Sequence, residues 1–250
     1  MNDTEKNYTD GSVTKKGGFF AWLDNFWYHY KWHSLIALFL IFAFTVCTFQ
    51  MCQKESYDIH VLYAGGHAYG RESVAGDYSE YVKARSNLEY FTADYDENGE
   101  KSVAFKDLFV PTDEELRALD DNTYYSRAYS DSQTLRSLIV SGDYFICIFS
   151  SSVYESFNSK SQDSTESRFD SLASLPLTNT SLEYYDDTCR AVYLASTKLY
   201  TLPGFSSLPK DTVICLKSTG FSTHLDKKAN EQAYNRAKDT LVKILNSTAN

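Results

Sequence analysis

From Trp32 to Gln53 the chain runs for 22 positions without an aspartate, glutamate, lysine or arginine. A helix of that length rises about 33 Å, enough to cross a hydrocarbon core of about 30 Å. Its inner stretch, SLIALFLIFAFTVCTF, also has no glycine or proline, and it lacks the polar face that a buried soluble helix of this length carries. The pattern predicts a transmembrane helix over 32–53.

The residues before this span fit the same reading. All three tryptophans, Trp22, Trp27 and Trp32, gather there with Phe19, Phe20, Phe26, Tyr28 and Tyr30. Amphipathic rings favour the headgroup layer, and Lys31 can reach the same depth. His29 and His33 stand four apart, as a metal or haem site on a helix would want, but the neighbourhood offers no further ligands. They read as interfacial polar residues. Lys15, Lys16 and Lys31 precede the span while Lys54 and Arg71 follow it, which favours a cytoplasmic N-terminus. The apolar run closes without a small-x-small cleavage site, and FQM before Cys52 lacks the small residues of a lipoprotein signal. The expected organisation is therefore a cytoplasmic arm and aromatic segment over 1–31, a single span over 32–53 in the cell membrane, and an extracytoplasmic domain over 56–250.

Charge is informative once the chain is divided. Residues 1–55 hold five lysines and five acidic residues, so the whole net charge of -9 falls on the C-terminal part. Such a surface repels phosphate backbones, which argues against a nucleic-acid partner. Of the five cysteines, Cys47 and Cys52 belong to the span and its exit. Cys147, Cys189 and Cys215 allow at most one bond within the domain, with Cys189 and Cys215 the expected pair and Cys147 a buried free thiol.

DIHVLYAGG opens the domain as an apolar strand that stops at Gly65 and Gly66. A short helix is expected around 79–84. NLEYFTADYDENGEKSVAFKDLFV then reads as two strands around an Asn98-Gly99 hairpin turn, and Thr112 with Glu115 is spaced as a capping box. In DSQTLRSLIVSGDYFICIFSSSVYESF, Ser132 is placed to cap a helix bearing Leu135, Leu138 and Ile139, and Gly142 to end it. Tyr144 to Phe149 is a buried strand, and Ser150 to Ser152 open another helix. This order predicts a mixed or parallel sheet with helices on both faces. Residues 156–168 read as an exposed loop. Strands are expected at 189–195 and 211–217, and a last helix carries an apolar stripe of Ala233, Tyr234, Ala237, Leu241 and Ile244.

LRSLIVSGDYFICIF resembles the segment of type 2 periplasmic solute-binding proteins in which a helix ends at Ser-Gly and leads into a central strand. RAVYLASTKLYTLPGF resembles their later segment, where a strand continues into a helix. FWYHYKWHSLIALFL joined to DIHVLYAGG is similar to uncharacterised single-span membrane proteins of clostridia and their relatives. The resemblance implies a solute-binding-protein-like α/β domain. At 195 residues, that domain is short for two full lobes.

Reactive motifs are sparse. DYDENGEKSVAF imitates a calcium loop through Asp94, Asp96, Asn98 and Gly99, but Phe105 stands where the bidentate glutamate belongs, so a polar turn is preferred and no metal is expected. There is no G-x-S-x-G or H-E-x-x-H, and KSTG at Lys217 lacks companion motifs. His60, His67 and His224 have no evident nucleophile partner, so neither enzyme activity nor a cofactor is expected. Two functions remain open. One is recognition of a small molecule or peptide at strand ends and helix starts, with Gly65, Gly66, Ser150, Ser151 and Ser152 as the candidate ligand-binding residues. The other is an interaction subunit of a cell-envelope complex, with a membrane-protein partner met by the tyrosine-rich surface at Tyr124, Tyr125 and Tyr129.

Overall fold

A computed structural model describes residues 18–52, 57–69, 78–119, 122–158, 167–221 and 227–247. The chain divides into two compact units, Met1–Glu55 and Ser56–Asn250.

The first unit contributes one helix, α1 (Gly18–Cys52). Within it Tyr30–Thr48 is long and apolar enough to cross a membrane, and none of that stretch is buried by protein. The aromatic segment expected to precede the span is thus helical and continuous with it. Phe26 stacks on Tyr30 with ring centroids 5.3 Å apart, while Trp27, Trp32 and Lys31 are exposed. Trp22 lies on the same helix, with its side chain outside the described residues.

The second unit is a mixed α/β domain. Its elements are β1 (Ile59–Gly65), α2 (Tyr78–Phe91), β2 (Val103–Phe109), α3 (Asp113–Ala118), α4 (Asn122–Ser141), β3 (Ile146–Phe149), α5 (Ser151–Asn158), β4 (Ala191–Tyr193), β5 (Val213–Leu216) and α6 (Lys227–Asn246). The strands form one sheet in the order β2-β1-β3-β5-β4. β1 runs parallel to both β2 and β3, whereas β5 is antiparallel to β3 and to β4.

Strand alternation sends successive side chains to opposite faces. Val61, Tyr63, Ile146, Ile148, Ile214 and Leu216 point to one face, where α2 and α6 pack through Tyr81, Leu88, Leu241 and Ile244. Leu62, Ala64, Cys147, Phe149, Val213 and Cys215 point to the other, covered by Leu135 and Ile139 of α4 and Val153 and Tyr154 of α5. Both faces are buried, which explains why β3 and β5 are continuously apolar in sequence. The expected stripe on α6 faces this core, with Ala237, Leu241 and Ile244 buried and Ala233 and Tyr234 partly so.

Several expectations change. There is no hairpin at Asn98-Gly99: NLEYF closes α2, and the next strand, β2, lies parallel to β1. A parallel pair needs a crossover, and α2 supplies it. Ser132 is inside α4, donating to the Ala128 carbonyl at 2.7 Å rather than capping, because the helix begins ten residues earlier at Asn122. The strands at 189–195 and 211–217 are shorter than expected, and β3 begins at Ile146. The capping box holds: the Thr112 hydroxyl accepts from Glu115 N at 3.2 Å, and Glu115 Oε2 accepts from Thr112 N at 2.7 Å. Gly142 follows α4 with a φ of 102°, a left-handed end that favours glycine. Most of the 156–168 loop lies outside the described residues.

Candidate functional site

The chain leaves β1 toward one face of the sheet and leaves β3 toward the other. Tyr69, soon after β1, is buried with α2 and α6, whereas Val153 and Tyr154, soon after β3, are buried with α4. β1 and β3 are parallel neighbours, so their connections diverge at their carboxyl ends. In open α/β sheets this divergence is where ligands bind.

The candidate residues read from sequence meet here. Ser150 N donates to the Ala64 carbonyl at 3.0 Å, extending the β1–β3 ladder by one bond. A Cβ placed on Gly65 would lie 3.3 Å from the Ser150 Cβ and 2.7 Å from the Tyr63 hydroxyl, so the absent side chain lets these three groups close up. A Cβ on Gly66 would lie 2.7 Å from both carboxylate oxygens of Glu115. Both glycines therefore accommodate groups of this chain. Ser150 and Ser152 share a hydrogen bond of 3.1 Å, and Ser151 Oγ donates to Asp211 Oδ2 at 2.5 Å.

Three site groups, Tyr63, Glu115 and Asp211, were not anticipated. Tyr63 is buried, and its hydroxyl accepts from His67 N at 3.2 Å. Burial pushes its phenol well above the usual range, and the charges of Glu115, Asp107 and Asp211 add to the shift. Among the described residues, neither Glu115 nor Asp211 is ion-paired with a lysine or arginine. The end of β1 therefore combines a negative field with the N-terminus of α5, whose first backbone N–H groups face outward from the helix. The capping box was a sequence signal for Glu115's local role. Nothing local could have placed it against Gly66, or Asp211 against Ser151, 60 positions away.

At the outer edge of β2, Arg127 of α4 lies 3.7 Å from Asp107 and 3.4 Å from Asp131, whose carboxylate accepts from Phe109 N at 2.8 Å. Arg127 also stands over the Phe109 ring, 5.7 Å from its centre. These contacts fasten α4 against an edge strand that would otherwise expose backbone.

Among the described residues, those that could hold a metal are Asp58, Asp94 and Asp96, whose carboxylate oxygens converge within 4.8 Å. Asp94 and Asp96 belong to the calcium-like stretch, and Asp58 joins them from just before β1. Asp58 already accepts from Tyr95 N at 2.6 Å and Ser102 N at 2.9 Å, and Asp94 from Gly99 N at 2.8 Å. The carboxylates thus close the α2–β2 connection by binding backbone. His60 packs edge-on between the rings of Tyr57 and Tyr144, and His67 lies 3.1 Å from Glu80. His224 is outside the described residues.

The expected bond between Cys189 and Cys215 is not formed. Ala191, not Cys189, stands opposite Cys215 across β4–β5. Cys189 sits before the strand at a left-handed φ of 53°, its sulfur 3.9 Å from the Asp187 carbonyl. Cys147 is buried in β3, as expected, and Cys47, Cys147, Cys189 and Cys215 are free thiols.

The fold and site define a mixed α/β domain with polar groups gathered at a strand-order divergence. Searches of protein families, curated proteins and solved structures find no match to this chain.

Proposed function

We propose that this chain is a single-pass membrane protein whose C-terminal domain, outside the cell, binds a small solute or peptide at the carboxyl ends of β1 and β3 without catalysing a reaction. The observation that carries the reading is the divergence of the two connections beside Gly65, Gly66 and Ser150–Ser152. The carboxylates of Glu115 and Asp211 favour a ligand with an ammonium or N–H donors over an anion. The described residues form one sheet, so the ligand would meet a single lobe, as the resemblance to one part of a solute-binding domain suggests. The apolar α1 would be the anchor, and the lysines before it would keep the N-terminus inside.

A second reading, an interaction subunit of a cell-envelope complex, draws on α4. Its exposed face carries Tyr125, Tyr129, Arg136 and Val140, whereas Tyr124 is turned in against Phe109 at 5.7 Å. Exposed tyrosines suit protein contacts.

A thermal-shift screen of Ser56–Asn250 against amino acids, peptides and sugars separates the two. A ligand at about one hundred times its Kd stabilises by about 2.7 kcal/mol. Ser152 is exposed, so Ser152→Trp should leave the fold intact while blocking the site and abolishing the shift. No shift with any ligand, together with recovery of a stoichiometric membrane partner by full-length protein, would overturn the binding reading in favour of the second.

A further inference from the structure

Cys147 and Cys215 stand directly opposite each other on β3 and β5, adjacent antiparallel strands in the middle of the sheet. Both are fully buried, and both point to the face covered by α4 and α5. Two residues along the ladder, Lys217 N donates to the Phe145 carbonyl at 2.8 Å. Alternation then makes Cys147 and Cys215 a hydrogen-bonded pair, with Cα atoms about 5.5 Å apart. Disulfides bridge Cα separations of about 4.4–6.8 Å but need Cβ atoms about 3.5–4.5 Å apart, closer than the roughly 5.5 Å of a hydrogen-bonded pair, so the bond closes only with a local shift of the two strands toward each other. The Cys215 thiol already leans across the strand gap, its sulfur 3.6 Å from the Cys147 carbonyl oxygen.

We infer that Cys147 and Cys215 are the partners of an intrachain disulfide that closes when the domain folds in contact with a disulfide-bearing oxidant. One cysteine, as thiolate, attacks the oxidant's disulfide, forming a mixed disulfide and expelling one thiolate. The second cysteine attacks the mixed disulfide at the first cysteine's sulfur and expels the other. Two protons leave the protein, two electrons reduce the oxidant to two thiols, and one S–S bond forms in the chain. The exchange belongs to the stage before β3 and β5 have paired, because pairing seals both sulfurs from water. The bond would join residues 68 positions apart and clamp the antiparallel half of the sheet to the parallel half. Cys189 is set apart from this pair by register, since Ala191 takes the position opposite Cys215.

The test is cell-free synthesis of the full chain with lipid nanodiscs, in one arm with a mixture of oxidised and reduced glutathione and in the other with dithiothreitol. Folding is read by trypsin resistance, and thiols by alkylation in denaturant followed by peptide mass spectrometry. The oxidising arm should give a Cys147–Cys215 linked peptide in wild type and in Cys189→Ser, at least tenfold above any link to Cys189. Cys147→Ser should leave Cys215 alkylated. The inference is overturned if trypsin-resistant wild type from the oxidising arm carries both cysteines alkylated, if Cys189 is the partner, or if linked protein is trypsin-sensitive.

Discussion

Lys217 Nζ donates to the carbonyl oxygen of Ile139 at 3.2 Å, and its side chain is fully buried. Ile139 lies in the last turn of α4, where carbonyl groups have no partner within the helix. The ammonium thus satisfies a helix end, and it also stands 5.1 Å from the centre of the Phe145 ring. Burial lowers the Lys217 pKa below the ordinary lysine value, and the nearby Cys147 and Asp143 oppose that shift.

The sign of the resulting pH dependence follows. Between the lowered folded value and the unfolded value of about 10.4, the unfolded chain binds more protons, so this residue makes stability rise with pH. Replacing Lys217 by Met keeps the volume and removes the titration. Urea unfolding of both proteins from pH 7 to 10 should show wild type gaining on Lys217→Met, by at most about 1.4 kcal/mol per pH unit. Parallel curves would mean that the ammonium is not penalised by burial.

Asp58 should be the residue on which the α2–β2 connection depends. Its carboxylate accepts from Tyr95 N, Ser102 N and Ser102 Oγ, tying both ends of that connection to the start of β1. Hydrogen bonds to charged groups contribute about 1.5–3 kcal/mol each, with strong overlap when they share one acceptor. Asp58→Ala should therefore cost about 3 kcal/mol in chemical unfolding, and Asp58→Asn less, because one acceptor oxygen remains. A loss below about 1 kcal/mol in Asp58→Ala would show that water replaces the carboxylate without penalty.

These residues also show what a sequence alone can and cannot supply. Thr112 with Glu115, Gly142 and the α6 stripe act within a few residues of themselves, so their patterns survive into the structure. Asn98-Gly99 misled because the same turn chemistry serves a hairpin and the closing loop of a crossover. The deciding signal was the spacing of Tyr81, Ala84, Leu88 and Phe91, a helical period that runs through NLEYF. Ser132 resembled a cap because the residues before it are polar, yet Ala128 and Arg127 pack that earlier part of α4 against the rest of the domain. The switch-point candidates could be proposed from strand ends, since strand ends are local. Their neighbours Glu115 and Asp211, and the opposition of Cys147 to Cys215, arise from strand order and register, which a single sequence does not encode as short-range pattern.

The buried tyrosines should set the alkaline limit of the domain. Burial raises the phenols of Tyr63, Tyr69 and Tyr154, and at Tyr154 nearby Cys215 and Asp186 add to it. Tyr69 donates to the Gly204 carbonyl at 2.7 Å, a bond that phenolate could not make. Folded values above the unfolded value of about 10 mean that the folded state holds protons the unfolded chain has lost. Their contribution is complete below pH 10 and is lost as pH rises past it. The last share of phenolate absorbance, that of these three tyrosines, should therefore appear together with loss of helix signal, in one cooperative step. Early, gradual ionisation of all tyrosines in a still-folded domain would contradict the burial.

Tryptophan emission should report on α1 alone, because Trp22, Trp27 and Trp32 are the three tryptophans of the chain. Trp27 and Trp32 are 53% and 69% exposed on a helix that protein does not cover, so in water they would emit as solvated indoles. If Tyr30–Thr48 crosses a bilayer, the same rings sit at headgroup depth. Full-length protein in vesicles should then show blue-shifted emission that lipids brominated near the headgroup quench more strongly than lipids brominated at the chain ends. The fragment Ser56–Asn250, one compact unit, should be soluble, folded and silent in this channel. Water-like emission indifferent to both lipids would remove the interfacial placement. Protease added outside intact cells should degrade the domain, and its full protection would reverse the proposed orientation while leaving the span itself in place.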